Sequence, residues 1–129
     1  MAIRIVRLGS PRAAGEGARL GTVRRPPRGV KKSDFARKDY FDAWLPELSP
    51  SAKLVTSGLA ASTDAQWRKF TRAYRAEMNT PEARHLIDTL AKLSQSADFA
   101  VGCYCENPAR CHRSILAELL REAGARVAP

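Results

Sequence analysis

The chain has 129 residues, 44% hydrophobic and 27% charged, enough for one buried core and a poor match to disordered chains. No run approaches the roughly 18 apolar residues of a membrane span, so no membrane association is expected. A formal net charge of +9 suits anionic partners, either nucleic acid or a phosphate-bearing small molecule, and equally suits a charge balance that only solvates the surface.

The opening MAIRIVRLGS has too short an apolar stretch for a signal peptide, and a cytoplasmic location is the expectation. In a reducing compartment three cysteines, an odd number, are expected to be free, catalytic or metal-bound rather than a disulfide framework. Residues 2–8, AIRIVRL, read as a first strand, GSPRAAGEGARLG (9–21) is loop-like with four glycines and a proline, and ARLGTV (18–23) could form a short second strand. RRPPRG (24–29) must be turn or extended chain, because paired prolines exclude a helix interior and a central strand.

From 31 to 48 the chain is amphipathic and broken by Pro46; Phe35, Tyr40, Phe41 and Trp44 are expected to dock on the core, from a short helix after Ser33. SPSAKLVTSG (49–58) reads as a helical turn with Ser49 as N-cap and Pro50 in the first helical position. Thr63 with Gln66 forms a capping box, and Trp67, Phe70, Tyr74 and Met78 then make a helical apolar stripe, with the neighbouring arginines solvated. The next helix opens with Thr80 and Pro81 and has Ala83, Leu86, Ile87, Leu90 and Leu93 inward, leaving His85 exposed.

DFAVGCYC (98–105) alternates Phe99, Val101, Cys103 and Cys105 on one face with Ala100, Gly102 and Tyr104 on the other. Both faces are apolar, so this is a central, parallel strand. ENPAR (106–110) is a turn, and residues 111–124 form a helix with Ile115, Leu116, Leu119, Leu120 and Ala123 inward and Gly124 as the stop. The final ARVAP is expected to add an edge strand. Alternating strands and helices predict a single-domain (1–129) layered α/β sandwich, a mostly parallel central sheet flanked by helices.

The chemistry concentrates in VGCYCENPARCHRSILAELL (101–120). In an open α/β sheet ligands sit beyond the carboxyl ends of the strands, where Cys105, Glu106 and the turn are expected. The helix starting near Cys111 aims its N-terminal N–H groups and partial positive charge at the same place, and Arg110 and Arg113 add cations. A cysteine there, Cys111 or Cys105, would have its pKa lowered and be reactive, with Glu106 or His112 moving protons. The spacing does not make a cysteine-phosphatase loop, since the sixth residue after Cys105 is Cys111 rather than arginine. Nor does it make a well-formed zinc site: no CxxC is present, Cys111 and His112 are adjacent and expected to point apart, and Cys103 is expected to be an inert core thiol. No metal and no cofactor are therefore expected.

These residues, Cys105, Glu106, Cys111, His112 and Arg113 ahead of a helix, resemble the C-terminal signature of the family known as domain of unknown function 488. PPRGVKKSDF, FDAWLPELSPSAKLV and WRKFTRAYRAEM upstream are similar to one of its branches, so the resemblance runs from about Ile3 to Gly124. It implies that Arg24 and Arg28 belong to the site. Where related members often carry Val-Asp-Arg-Leu-Trp before Pro-Arg-Gly, this chain has TVRRPPRG; the acid and the aromatic are missing, which turns the arm towards binding anions.

Residues 24–38 hold seven basic side chains against one acid, Asp34. By itself such a run reads first as a solvated, functionally idle surface. Two functional readings stand beside that one. One is a cleft in which Arg24, Arg28, Arg110 and Arg113 bind an anionic or phosphorylated ligand beside a reactive thiol, as an enzyme or a binding protein. The alternative is a non-catalytic nucleic-acid-binding accessory protein using the basic surface, whose affinity would fall steeply with salt.

Overall fold

The structure is a computed structural model that describes residues 1–107 and 110–129. Four strands, β1 (Ile3–Arg7), β2 (Ala18–Gly21), β3 (Ala43–Trp44) and β4 (Phe99–Cys103), form one sheet in the order β1-β4-β2-β3. All the pairings are parallel, with Ile3 opposite Phe99 and Arg7 opposite Cys103 on one side of β4, and Ala18 opposite Phe99 and Gly21 opposite Gly102 on the other. All five residues of β4 are buried, as a strand apolar on both faces requires.

The helices are α1 (Ala52–Ala60), α2 (Asp64–Glu77), α3 (Pro81–Leu93) and α4 (His112–Glu122). They share a core with Ile3, Phe99 and Val101, to which they contribute Leu54, Phe70, Tyr74, Ile87, Leu116 and Leu120. The α/β fold expected from the sequence is the one observed. The other face carries Gly21 and Gly102; a Cβ at Gly102 would press on the Val6 carbonyl and Leu8, and one at Gly21 would collide with the Phe41 ring. Both glycines are thus close-approach positions that let the connecting segments lie flat on the sheet.

Local signals account for most helix starts. Thr63 and Gln66 make both halves of the capping box, and the Thr80 hydroxyl caps α3 with Pro81 in its first turn. At α1 the expectation fails by two residues: Ser51, not Ser49, is the N-cap and accepts from the Leu54 N–H. The Ser49 hydroxyl is turned back to the Pro46 carbonyl, while Ser51 is fixed by Glu77, which takes its N–H at 2.8 Å and its hydroxyl at 2.6 Å. Long-range contact chose between two serines that are locally equivalent.

Other differences are smaller. Residues 32–34 and 46–48 are single 3-10 turns, and Trp44 stays 44% exposed, its indole N–H donating to the Val23 carbonyl. Leu93 is also exposed rather than part of the stripe. The tail forms only a single parallel bridge, Val127 to Ile3, beside β1.

β2 holds a feature with no sequence signal. Arg19 is fully buried and pairs with Glu16 at 2.6 Å, both side chains almost without exposure. Its guanidinium also donates to the carbonyls of Ser10, Pro11 and Asp39, so each of its five N–H groups has an acceptor. One side chain thereby fastens two long loops to the sheet.

Candidate functional site

The carboxyl ends of β1 and β4 meet the N-terminus of α4. Arg7 closes β1: its Nε donates to the Tyr104 carbonyl at 3.3 Å, and its Nη2 reaches the exposed Glu106 carboxylate at 3.4 Å. The Tyr104 hydroxyl donates to the Arg25 carbonyl at 2.9 Å, tying the start of the basic arm to this end of the sheet. Arg7, Leu8, Gly9, Ser10, Tyr40 and Tyr104 line an open cavity of about 370 Å³ beside it. Gly9 has φ +93°, and a Cβ there would press on the Tyr40 ring that walls the cavity.

α4 begins without a side-chain cap, Cys111 being the N-cap residue. Arg113, in its first turn, is only 5% exposed. Among the described residues its one hydrogen bond is from Nη1 to the Val6 carbonyl, at 3.2 Å, and no carboxylate pairs with it. Its charge lies within electrostatic reach of Cys105 and Arg7. Burial lowers its proton affinity, a Cys105 thiolate would raise it, and Arg7 lowers it further. A buried cation at the positive end of a helix, beside a second cation, is an unfavourable arrangement unless an anion joins it.

Cys105 is half-buried. Burial pushes its thiol pKa up, and the charges of Arg113 and Arg7 pull in the other direction without overcoming it. The low-pKa thiol expected from the sequence is therefore not what this geometry gives Cys105 in the absence of a ligand. Burial also drives the His112 pKa down to about 4, with the Thr22 carbonyl partly opposing it, so the imidazole is neutral. Its Nε2 lies 2.6 Å from the Thr22 carbonyl oxygen, which can only accept, so Nε2 carries the proton. The Tyr74 ring packs edge-on against His112, 5.5 Å between centroids, and its own hydroxyl is fixed on the Leu48 carbonyl.

Not all the expected residues gather here. Cys105 and Arg113 share the site with Arg7, which also carries Glu106, whereas Cys111 and His112 are buried behind them. Arg24 is engaged elsewhere, donating to the carbonyls of Ser49 and Pro50. Arg110 pairs with Asp64 at 2.7 Å, donates to the Thr63 carbonyl and lies over the Trp67 ring. Arg28 is exposed on the basic arm. Pro108 and Ala109 of the expected turn lie outside the described residues.

Cys103, expected to be an inert core thiol, is buried in the core but meets Cys111 sulfur to sulfur. Cys111 and His112 do not point apart, with Sγ and Nδ1 3.9 Å from one another. Alternation put Cys103 on the face that α4 covers; the sequence does not say that the N-cap of α4 comes down on it. Arg7 and Tyr104 carry no sequence signal of a site role, because their contacts arise only when β4 inserts beside β1.

No curated protein and no solved structure matches the chain. A family model, DUF488-N3a, described as the active DUF488-N3 subclade, matches residues 3–124, a span that takes in the whole sheet, all four helices and this site. By that match the protein belongs to the DUF488 family, in its N3a subclade.

Proposed function

We propose that the mouth at the ends of β1 and β4 binds an anionic group, a phosphate above all, between Arg113 and Arg7 and presents it to the Cys105 thiol, with Glu106 as the nearby proton acceptor. The observation that carries this reading is Arg113, 5% exposed and without a carboxylate partner among the described residues. A structural arginine in such a position normally has its charge matched, as Arg19 has by Glu16. Arg113 is matched only if a ligand supplies the negative charge. Bidentate contact with an oxyanion suits the guanidinium geometry. Of the arginines expected in the cleft, Arg28 is exposed and has no ion pair among the described residues, which suits a distal contact, while Arg24 and Arg110 act as ties within the fold. The nucleic-acid reading of the basic arm rests on charge alone, and Arg37 there already pairs with Asp34.

Alkylation of Cys105 tests this. Iodoacetamide labelling, followed by peptide mass analysis, is run with inorganic pyrophosphate and with potassium chloride at equal ionic strength. Pyrophosphate should slow labelling of Cys105 several-fold in the wild-type chain and have no such effect in Arg113→Met. Equal rates in the two salts would overturn the proposal.

A further inference from the structure

We infer that Cys103, Cys111 and His112 form a zinc site that joins the end of β4 to the start of α4. The two sulfurs and an imidazole nitrogen lie within 4.8 Å of one another, and all three residues are buried. Their chemistry is that of a structural or catalytic zinc set, two soft thiolates and one neutral imidazole.

The second observation is the support of the histidine. Nε2 gives its proton to the Thr22 carbonyl at 2.6 Å, which leaves the Nδ1 lone pair on the side of Cys111. Thr22 is itself held, its N–H and hydroxyl both donating to the Gly102 carbonyl at 3.1 and 2.9 Å. A zinc-binding histidine usually donates its other ring nitrogen to a fixed backbone or carboxylate oxygen, and this is that arrangement.

The third is the backbone. The Cα atoms of Cys103 and Cys111 are 7.8 Å apart. Ordinary disulfides span about 4.4–6.8 Å between Cα atoms, so a relaxed one would require β4 and α4 to shift together. A metal between the two thiolates fits the wider separation. Zinc with two thiolates carries no net charge, which suits a buried place next to the unmatched Arg113. The triad supplies three donors, and a small exogenous donor, water in the resting protein, completes the tetrahedron. This site stands apart from the anion-binding reading, which uses Arg113, Arg7 and Cys105.

The test is a cobalt titration of the full chain after reduction and chelator treatment. One equivalent of Co(II) should produce tetrahedral d–d bands and near-ultraviolet thiolate-to-cobalt charge transfer, and Zn(II) should abolish both by displacement. Cys103→Ser, Cys111→Ser and His112→Gln should each weaken binding at least tenfold, while Cys105→Ser leaves it unchanged. The wild-type titration decides the matter even if a variant fails to fold. Absence of charge transfer in the reduced wild type would overturn the inference, as would loss of binding in Cys105→Ser with retention in Cys103→Ser. Two cysteines resistant to alkylation until reduced, in protein freshly purified without oxidant, would overturn it as well. None of these readouts depends on whether pyrophosphate protects Cys105.

Discussion

Arg113→Met should make the protein more stable and deaf to anions. Removing the guanidinium leaves the Val6 carbonyl without its donor, a loss of about 1–3 kcal/mol. Against this, a nearly buried charge that has no carboxylate partner among the described residues disappears, and the effective desolvation penalty of such an ion is several kcal/mol. Two smaller gains accompany it: a cation leaves the first turn of α4, worth about 0.3–1 kcal/mol, and repulsion from Arg7 ends. Methionine fills most of the vacated space with little strain. The balance is a stabilisation of about 1–3 kcal/mol, or a melting temperature higher by roughly 3–10 °C for a chain of this size. Thermal and urea unfolding in a buffer free of polyvalent anions measure it. Pyrophosphate at ten times its dissociation constant should stabilise the wild type by about 1.4 kcal/mol and the variant not at all. A variant that melts below the wild type and still gains stability from pyrophosphate would refute the argument, since Arg113 would then be a structural tie like Arg19.

The Arg19–Glu16 pair gives the opposite expectation. Arg19→Met strands a buried carboxylate and three carbonyls and should cost about 3–5 kcal/mol in urea unfolding. Burial raises the Glu16 pKa, but hydrogen bonds from Arg19 and the Ala13 N–H, with the charges of Arg19 and Arg12, outweigh it and hold the carboxyl below its ordinary 4.5. The unfolded chain therefore binds the proton first as pH falls. The pair's contribution is whole above that value and is lost below it, and Glu16→Gln should flatten the acid limb of a stability–pH profile. Burial raises the Cys105 thiol, so its alkylation rate should reach half-maximum at a pH above that of a free thiol, and higher still in Arg113→Met; a midpoint below a free thiol's would contradict the site's electrostatics. Gly17 has φ +81°, and a Cβ there would collide with the Asp98 carbonyl; Gly17→Ala should thus lose several kcal/mol in the same unfolding assay, and a loss under about 1 kcal/mol would show that the loop adapts.

What the sequence reveals here is whatever is decided locally. Thr63 and Thr80 announce their helices because a cap and its partner lie three residues apart. The strand 99–103 announces its central place because both of its faces are apolar. The turn-and-helix site was legible in outline for the same reason, its residues being neighbours along the chain. Arg19 was not legible: Glu16 is near in sequence, but the carbonyls of Ser10 and Asp39 are brought to it only by the two loops. The partner of Cys103 is hidden on similar grounds. The face of Cys103 followed from alternation, but its partner depended on where α4 begins, and no periodicity carries that information.

The strand order has a consequence for how the molecule is made. β1 and β2 never touch one another; β4, which ends at Cys103, lies between them. A ribosome-bound chain that has emerged only as far as α3 can pair β2 with the two-residue β3 but leaves β1 without a neighbour, and Ile3 waits for Phe99, 96 positions later. Contacts so distant in sequence close slowly, after the local helices have had time to form. α4, with Cys111, His112 and Arg113, follows β4 immediately, so the sheet and the site are completed by the same late segment. The central strand and the helix that carries Cys111, His112 and Arg113 therefore arrive together, and the two halves of the sheet are joined in the same late step that brings these residues beside Arg7.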